Sequence, residues 1–372
     1  MRGFQIGSYA KMRENAIESY SGYLQIQKKG YWDDKNINNS MVLDSQIVKN
    51  LEKDSRVSVI IPRLESFALA SSGESTKGVM VTGIVPDKED RMTRIKSYLK
   101  EGSFINEKDK GIMVAEGLAE FLQVQINDTL VLFSSGYHGT TAAGLYPVKG
   151  ILKLPTPEMN KSTVYLALPE AQYLFSAYDR TTAMVFHLET LDDLEGLEQD
   201  VRQELDAERY EVMGWEIMNK ELLQMIETDN AGGVIMIAIL YMVIAFGIFG
   251  TVLMMTNERI REFSVMVSVG MQKTKLAKIV ILELFFLTAM AVFAGIVISL
   301  PVMFYFYYNP IEFSGDVVEV MLDFNFEPVM PMSLDGNIFI FQGIAISVLS
   351  TIAMSYPTIK ILKLDVVKGL RS

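Results

Sequence analysis

The chain has 372 residues, 34 basic and 45 acidic, for a net charge of −11, with 49% apolar residues and a mean hydropathy of +0.22. So acidic a chain lacks the basic face that nucleic acid requires, and so apolar a composition lies outside the ordinary soluble range. There is no cysteine, which excludes disulfides, thiolate metal sites and cysteine nucleophiles; the only histidines, His138 and His187, exclude a histidine-rich metal site. Residues 1–230 hold 25 basic and 35 acidic residues, whereas 231–372 hold 9 and 10, so charge is concentrated in the first part.

In chain order, residues 9–20 read as a helix with Tyr9, Met12, Ala16 and Tyr20 near one face, and Gly22–Gln27 alternates as a strand. Residues 31–40 are polar loop. Val57–Arg63, Phe67–Ser71 and Gly78–Val85 are strand-like runs, and Pro86-Asp87 opens a charged helix over 88–99. A strand at Gly111–Val114 precedes a short helix at Ala115–Leu122. Thr129–Phe133 and Leu145–Leu154 read as strands separated by the Gly-rich stretch 136–144, an exposed contact loop by its composition. Ser162–Ala167 and Thr182–Leu188 are strands; Pro169–Phe175 and Leu194–Leu205 are helices. This mixture predicts an α+β domain over residues 1–229. Met213–Thr228 reads as a helix leading out of it, either a stiff stalk or a plain linker.

Residues 230–372 predict an all-α transmembrane bundle. Three runs contain no charge: Asn230–Asn257, Leu284–Ile311 and Gly336–Ile359. Crossing the hydrocarbon core takes about 20 apolar residues, so each qualifies, with spans at about 231–256, 284–308 and 337–357. The segment 257–279 contains Arg259, Arg261, Lys273, Lys275 and Lys278, and the tail contains Lys360, Lys363, Lys368 and Arg371. The segment 312–335 has no basic residue and six acids: Glu312, Asp316, Glu319, Asp323, Glu327 and Asp335. By the positive-inside rule, 257–279 and the C-terminus are cytoplasmic, while 312–335 and the domain before residue 230 lie outside. Met1–Gly7 has no apolar run of a signal peptide. Export of residues 1–229 therefore predicts a fourth, N-terminal span upstream of the three present.

Catalytic patterns are missing. The sequence has no G-x-x-x-x-G-K-[ST], no H-E-x-x-H and no G-x-S-x-G. His138 lies in a loop-like segment and His187 in an alternating strand, where solvation and packing are the ordinary roles. The expectation is a non-catalytic chain with no cofactor or metal of its own. Glu283, near the cytoplasmic end of the second span, is the intramembrane polar candidate. After the first span, charges at Glu258, Arg259, Arg261 and Glu262 pass into apolar Phe263, Val265, Met266, Val267 and Val269, then Gly270 and Met271. This pattern predicts an interfacial helix offering one face to a partner or to lipid headgroups.

Thr256–Met271 resembles the E-R-x-x-E-[FI]-G-x-x-[RK]-A-x-G segment of FtsX-type ABC transporter permeases. The ending Tyr356-Pro357-Thr358-Ile359-Lys360 and Val366–Arg371 is similar to that family's P-x-x-x-A…P-x-x-A-L-R close. Met12–Tyr31, Gly111–Leu132, Val148–Ile151 and Val164–Gln172 look like the periplasmic core domain of LolC/LolE-like and MacB-like proteins. Three positions depart from the pattern: Ser264 stands where Gly is usual, Val267 where a basic residue is usual, and Lys368-Gly369 where E/K-A is usual.

The resemblance implies a permease subunit in a bacterial inner membrane. It would pair with a second permease copy or paralogue and with an ABC ATPase subunit that binds the ATP. Glu258, Arg259, Glu262, Phe263, Met266, Gly270 and Met271 would form the coupling helix, with Phe263, Met266 and Gly270 touching the ATPase. ATP hydrolysis would move the periplasmic domain by mechanotransmission through residues 213–228. Lipoprotein release toward a periplasmic carrier is the leading role; a MacB-type macrolide or peptide exporter and an FtsX-like regulator of a cell-wall hydrolase share the architecture.

Overall fold

The computed structural model describes residues 2–42, 45–188, 193–315, 317–318, 321 and 329–371. It divides into two compact units: a sheet unit built chiefly from Lys11–Leu223, and a helical unit built from the residues up to Ala10, Gln224–Glu312 and those from Val329 onward.

Helix α1 (Arg2–Ala16) runs into the sheet unit, ends in a π turn (Ile17–Ser21) and leads to strand β1 (Leu24–Lys28). Then come α2 (Ser45–Leu51), β2 (Val57–Ser72), β3 (Ser75–Ile84), α3 (Pro86–Thr93), a 3-10 turn (Ile95–Tyr98) and β4 (Leu99–Gly102). β5 (Ile112–Ala115), α4 (Glu116–Leu122), β6 (Thr129–Ser135) and β7 (Thr141–Leu152) follow. α5 (Pro157–Ser162), β8 (Thr163–Ala167), α6 (Leu168–Leu174) and β9 (Ala183–Leu188) come next, and α7 (Leu194–Glu204), β10 (Tyr210–Gly214) and α8 (Trp215–Met218) complete the unit.

The strands form one sheet in the order β10-β1-β9-β2-β3-β8-β5-β7-β4, with β6 paired to β2 and β7. Two apolar cores lie against it. One gathers Leu24, Ile26, Ile60, Phe186 and Leu197; the other gathers Leu64, Val81, Ile112, Leu132 and Val164. β2 serves both halves: Val57–Arg63 pairs with β9, and Leu64–Ser72 pairs with β3. At this hand-over Arg63, 1% exposed, donates from Nε and Nη2 to the two oxygens of Glu89, 2% exposed, at 3.0 and 2.6 Å. The same guanidinium donates to the carbonyl of Tyr20, the π-turn residue whose hydroxyl donates to Glu65 at 2.9 Å. A buried charge is tolerable only when paired and fully hydrogen-bonded, and here the pairing fastens the end of α1 to the middle of β2.

The sequence reading needs three corrections in this unit. The runs 57–63 and 67–71 are one strand; Pro62 fits because Val57–Arg63 pairs with a strand, β9, on one edge only among the described residues. The helix expected over 88–99 stops at Thr93, since Arg94 is left-handed (φ 51°), and Leu99–Gly102 is strand. Met213 and Gly214 are not helical: they end β10, which pairs with β1, and Asn219 interrupts the helix between α8 and the next element.

In the helical unit, α9 (Lys220–Glu258) is followed by α10 (Ile260–Ser268) and α11 (Lys273–Tyr308). The short pair β11 (Ile311–Glu312) and β12 (Val329–Met330) precedes α12 (Gly336–Leu362) and α13 (Val366–Arg371). α9, α11 and α12 are each long and apolar enough to cross a membrane. The acids Asp316, Glu319, Asp323 and Glu327 lie outside the described residues. At about 1.5 Å per residue, the 39 residues of α9 exceed a bilayer core, so its charged first ten residues project beyond it. Within this unit, Arg2 Nη1 donates to Asn230 Oδ1 at 2.7 Å, and the Tyr9 hydroxyl donates to Asp229. Burial, and then that bond, pushes the Tyr9 hydroxyl up to about 12. Arg2, Gln5 and Tyr9 thus form one stripe of α1 against α9. Within the sheet unit Asn219, just before α9, donates from Nδ2 to Ser21 Oγ, in the π turn after α1, at 3.1 Å.

Candidate functional site

The candidate site is the elbow from the end of α9 through α10 to the start of α11, where the sequence places the interfacial helix. α10 exists as expected, and its ends explain its length. Glu262 sits in the first turn, favourable to the helix dipole. At the other end Gly270 adopts φ +106°, its N–H bonds the Val267 carbonyl at 3.1 Å, and the Met271 N–H bonds the Met266 carbonyl at 3.1 Å. These two bonds make a Schellman stop, and only glycine takes that φ without strain.

Phe263 is 2% exposed. It lies in a core with Val252 of α9, Leu276, Val280 and Leu284 of α11, and Met354 and Ile361 of α12, with Met266, Val267 and Met271 packed against it. This corrects the expectation that Phe263 faces a partner: the helix buries that side and turns Val265 and Val269 outward, Val269 being 84% exposed. An apolar stripe announces that a helix has a buried side, but the neighbours decide which apolar residues fill it. Met266 and Met271 are half-buried, and Glu258, Glu262 and Gly270 are exposed.

Arg259 organises the elbow. Its Nη1 donates to both oxygens of Glu283, at 2.7 and 2.9 Å, and its Nε donates to Glu262 at 3.3 Å. The hydrogen bond to Glu283 moves the Arg259 guanidinium further above its usual range. Glu283, singled out as a polar residue near the membrane, is therefore the counter-ion of Arg259 and ties α11 to the link between α9 and α10.

The chain end closes the elbow from the other side, which motif reading did not anticipate. Lys273 Nζ donates to the Leu364 carbonyl at 2.6 Å, placing a cation at the C-terminal end of α12. Lys360 Nζ donates to Asn257 Oδ1 and to the Tyr356 hydroxyl, the latter at 3.1 Å. α13 packs on α10 so closely that a Cβ at Gly369 would stand 2.0 Å from Ser264 Oγ. Ser264 and Gly369 are two of the three departures noted above, and they face each other.

His138 and His187 take no part in this site: His138 is in the turn between β6 and β7, and His187 stacks beside Tyr23 with ring centroids 5.6 Å apart. Among the described residues, no group of three or more His, Asp or Glu is placed to hold a metal ion.

The FtsX-like permease C-terminal family matches residues 234–366, a stretch that contains the elbow and all but the first residues of α9. Over that stretch the chain is similar to FtsX-like permease domains. The chain is homologous to lipoprotein-releasing system transmembrane proteins. It is 22% identical to LolC of Xylella fastidiosa over 238 residues, covering 62% of this chain and 57% of that one. It is 21% identical to LolC of Neisseria meningitidis over 245 residues, 63% and 59% of the two chains, and 22% identical to LolE of Haemophilus influenzae over 240 residues, 63% and 57%. The aligned stretch is thus less than two thirds of these relatives' length. Among solved structures, the periplasmic region of MacB from Actinobacillus actinomycetemcomitans is 12% identical with a TM-score of 0.40, covering 57% of this chain and 97% of that one. The extracellular domain of the transporter YknZ from Gram-positive bacteria is 13% identical with a TM-score of 0.38, covering 52% and 99%.

Proposed function

We propose that this chain is the permease subunit of an ABC transporter. In this reading a separate ATPase subunit hydrolyses ATP, docks on the elbow and moves the sheet unit, and the chain itself does no catalysis. The elbow carries the reading. It is a short capped helix whose inner side, through Phe263, joins α9, α11 and α12, while Val265 and Val269 stay outside. A push on α10 is passed to three spans at once, because packed side chains and the Arg259–Glu283 pair leave it no independent movement. α9 runs without interruption from Lys220 to Glu258, α1 is fastened beside it at Asn230 and Asp229, and the π turn after α1 is fastened to Asn219, just before α9. These two helices are the route of mechanotransmission.

The ATPase contact then falls on Glu258, Arg261, Glu262, Val265, Val269 and Gly270 rather than on Phe263. The basic flanks of the elbow and of α12 support a C-terminus in the cytoplasm, with residues 1–229 in the periplasm of a bacterial inner membrane. The names of the homologous LolC and LolE proteins support lipoprotein release as the work done, with lipidated proteins as cargo, a periplasmic carrier as acceptor and a second permease copy or paralogue as neighbour. Affinity purification of the full chain from its native membrane, with identification of copurifying proteins, tests this. An ATP-binding subunit and a lipidated protein are expected. Recovery of the intact, membrane-inserted chain with no ATP-binding subunit contradicts the proposal.

A further inference from the structure

One face of the sheet unit is left without a partner. Strands β3, β2, β6 and β7 are neighbours, and their registers align Phe67 with Met80, Leu69 with Phe133, and Val131 with Leu145. Directly paired residues point to the same side of a sheet. Phe67, Leu69, Val131, Phe133 and Leu145 therefore share one face, and each is between 38% and 72% exposed. Their strand neighbours Ala68, Ala70, Leu130, Leu132 and Tyr146 point inward and are buried. The helices α4 and α6 cover that inner face, and among the described residues the five outer side chains stay exposed.

The outward positions of these four strands, from Phe67 to Ser71, Thr76 to Met80, Thr129 to Ser135 and Thr141 to Pro147, include no Asp, Glu, Lys or Arg. The centre is apolar and the rim is Ser and Thr, in a segment whose net charge is −10 over residues 1–230. That is the anatomy of an interface, an apolar core within a neutral polar rim.

We infer that this face packs against the same face of a second copy of the chain. Charge and area both select that occupant. The acidic remainder of the unit draws basic partners, yet a basic surface seated on this face would leave its lysines and arginines unpaired. A second copy offers the same uncharged centre, and two flat sheet faces pack about 10 Å apart. Four strands about 4.8 Å apart, each with roughly four outward positions about 6.8 Å apart, cover on the order of 500 Å². Two copies together bury about 1,000 Å², the lower bound for a specific interface. This contact involves only the sheet unit and stands whether or not an ATPase binds the elbow.

The chain has no cysteine, so one introduced thiol is unique. Leu69→Cys, Phe133→Cys and Leu145→Cys, each in the full chain in nanodiscs, are treated with a bismaleimide spanning about 10 Å, the expected sheet separation. A covalent homodimer is expected from at least one of them, and none from Tyr173→Cys, which is equally exposed on α6 on the other side of the sheet. Adding Leu69→Asp to Phe133→Cys should cut the yield at least about tenfold while circular dichroism stays unchanged. Failure of all three positions, or equal yield from Tyr173→Cys, overturns the inference. So does quenching by brominated lipid of a fluorophore attached at Phe133→Cys, which would assign the face to the bilayer instead.

Discussion

Ser264 of α10 and Gly369 of α13 occupy one contact: a Cβ on Gly369 would come within 2.0 Å of Ser264 Oγ and 3.1 Å of its Cβ. The resemblance gives the usual residues at these positions as Gly and Ala. The side-chain atoms have changed sides of the same interface, which keeps its volume. Gly369→Ala should therefore destabilise the helical unit by about 1–3 kcal/mol, the ordinary cost of overpacking. Ser264→Gly combined with Gly369→Ala should recover most of it. Thermal unfolding of the two single variants and the double variant, compared as a cycle, reads the coupling directly.

The pair between Arg259 and Glu283 calls for a smaller number. Their side chains are 35% and 37% exposed, so solvent screens the attraction. Glu283→Gln should cost about 1 kcal/mol or less. The exchange Arg259→Glu with Glu283→Arg should restore what either single exchange loses, as measured by unfolding in the same detergent at low and high salt. An effect that salt does not alter would show that packing, and not charge, joins α11 to the elbow.

Arg63 and Glu89 are a contrasting case, because both are buried. Glu89→Ala leaves a guanidinium unpaired in the interior and should cost about 3–5 kcal/mol. Arg63→Met with Glu89→Leu removes both charges and should be near neutral or stabilising. Denaturant titration of the two variants distinguishes these outcomes. A double variant as destabilised as Glu89→Ala would show that the pair contributes more than relief of an unpaired buried charge.

His187 gives a pH signature. Burial lowers its pKa below the usual value near 6.5, and its Nδ1 is buried without a hydrogen-bond partner. A lowered pKa means that the unfolded chain binds the proton more readily. The contribution to stability is complete above about pH 6.5 and is lost as the pH falls from there through the folded value. The melting temperature of the wild type should therefore drop between about pH 7 and pH 5.5 more than that of His187→Phe. Parallel slopes for the two chains would remove His187 from the account.

The spans were legible because each is a long charge-free run with charged ends, a pattern that only a membrane crossing satisfies. Most strands were legible from alternation. β2 was not legible as one strand, because Leu64-Glu65-Ser66 reads as a break between two runs; it is continuous because its halves pair with β9 and β3, strands distant in the chain, and Glu65 is met by Tyr20. β10 was hidden because it exists through pairing with β1, far off in the chain. At the elbow, the helix and its glycine stop could be read locally. The burial of Phe263, the counter-ion of Arg259 and the contact between Ser264 and Gly369 depend on α11, α12 and α13, and no local pattern encodes them.

The central claim is that the exposed side of α10 is where an ATP-hydrolysing subunit binds. Site-specific photo-crosslinking from position 269 in the native membrane tests it most directly, with position 302, exposed on α11 within the second span, as the comparison. The account predicts a protein adduct from position 269, containing an ATP-binding subunit, and lipid adducts alone from position 302. Lipid adducts alone from position 269, with the chain inserted and folded, would contradict it.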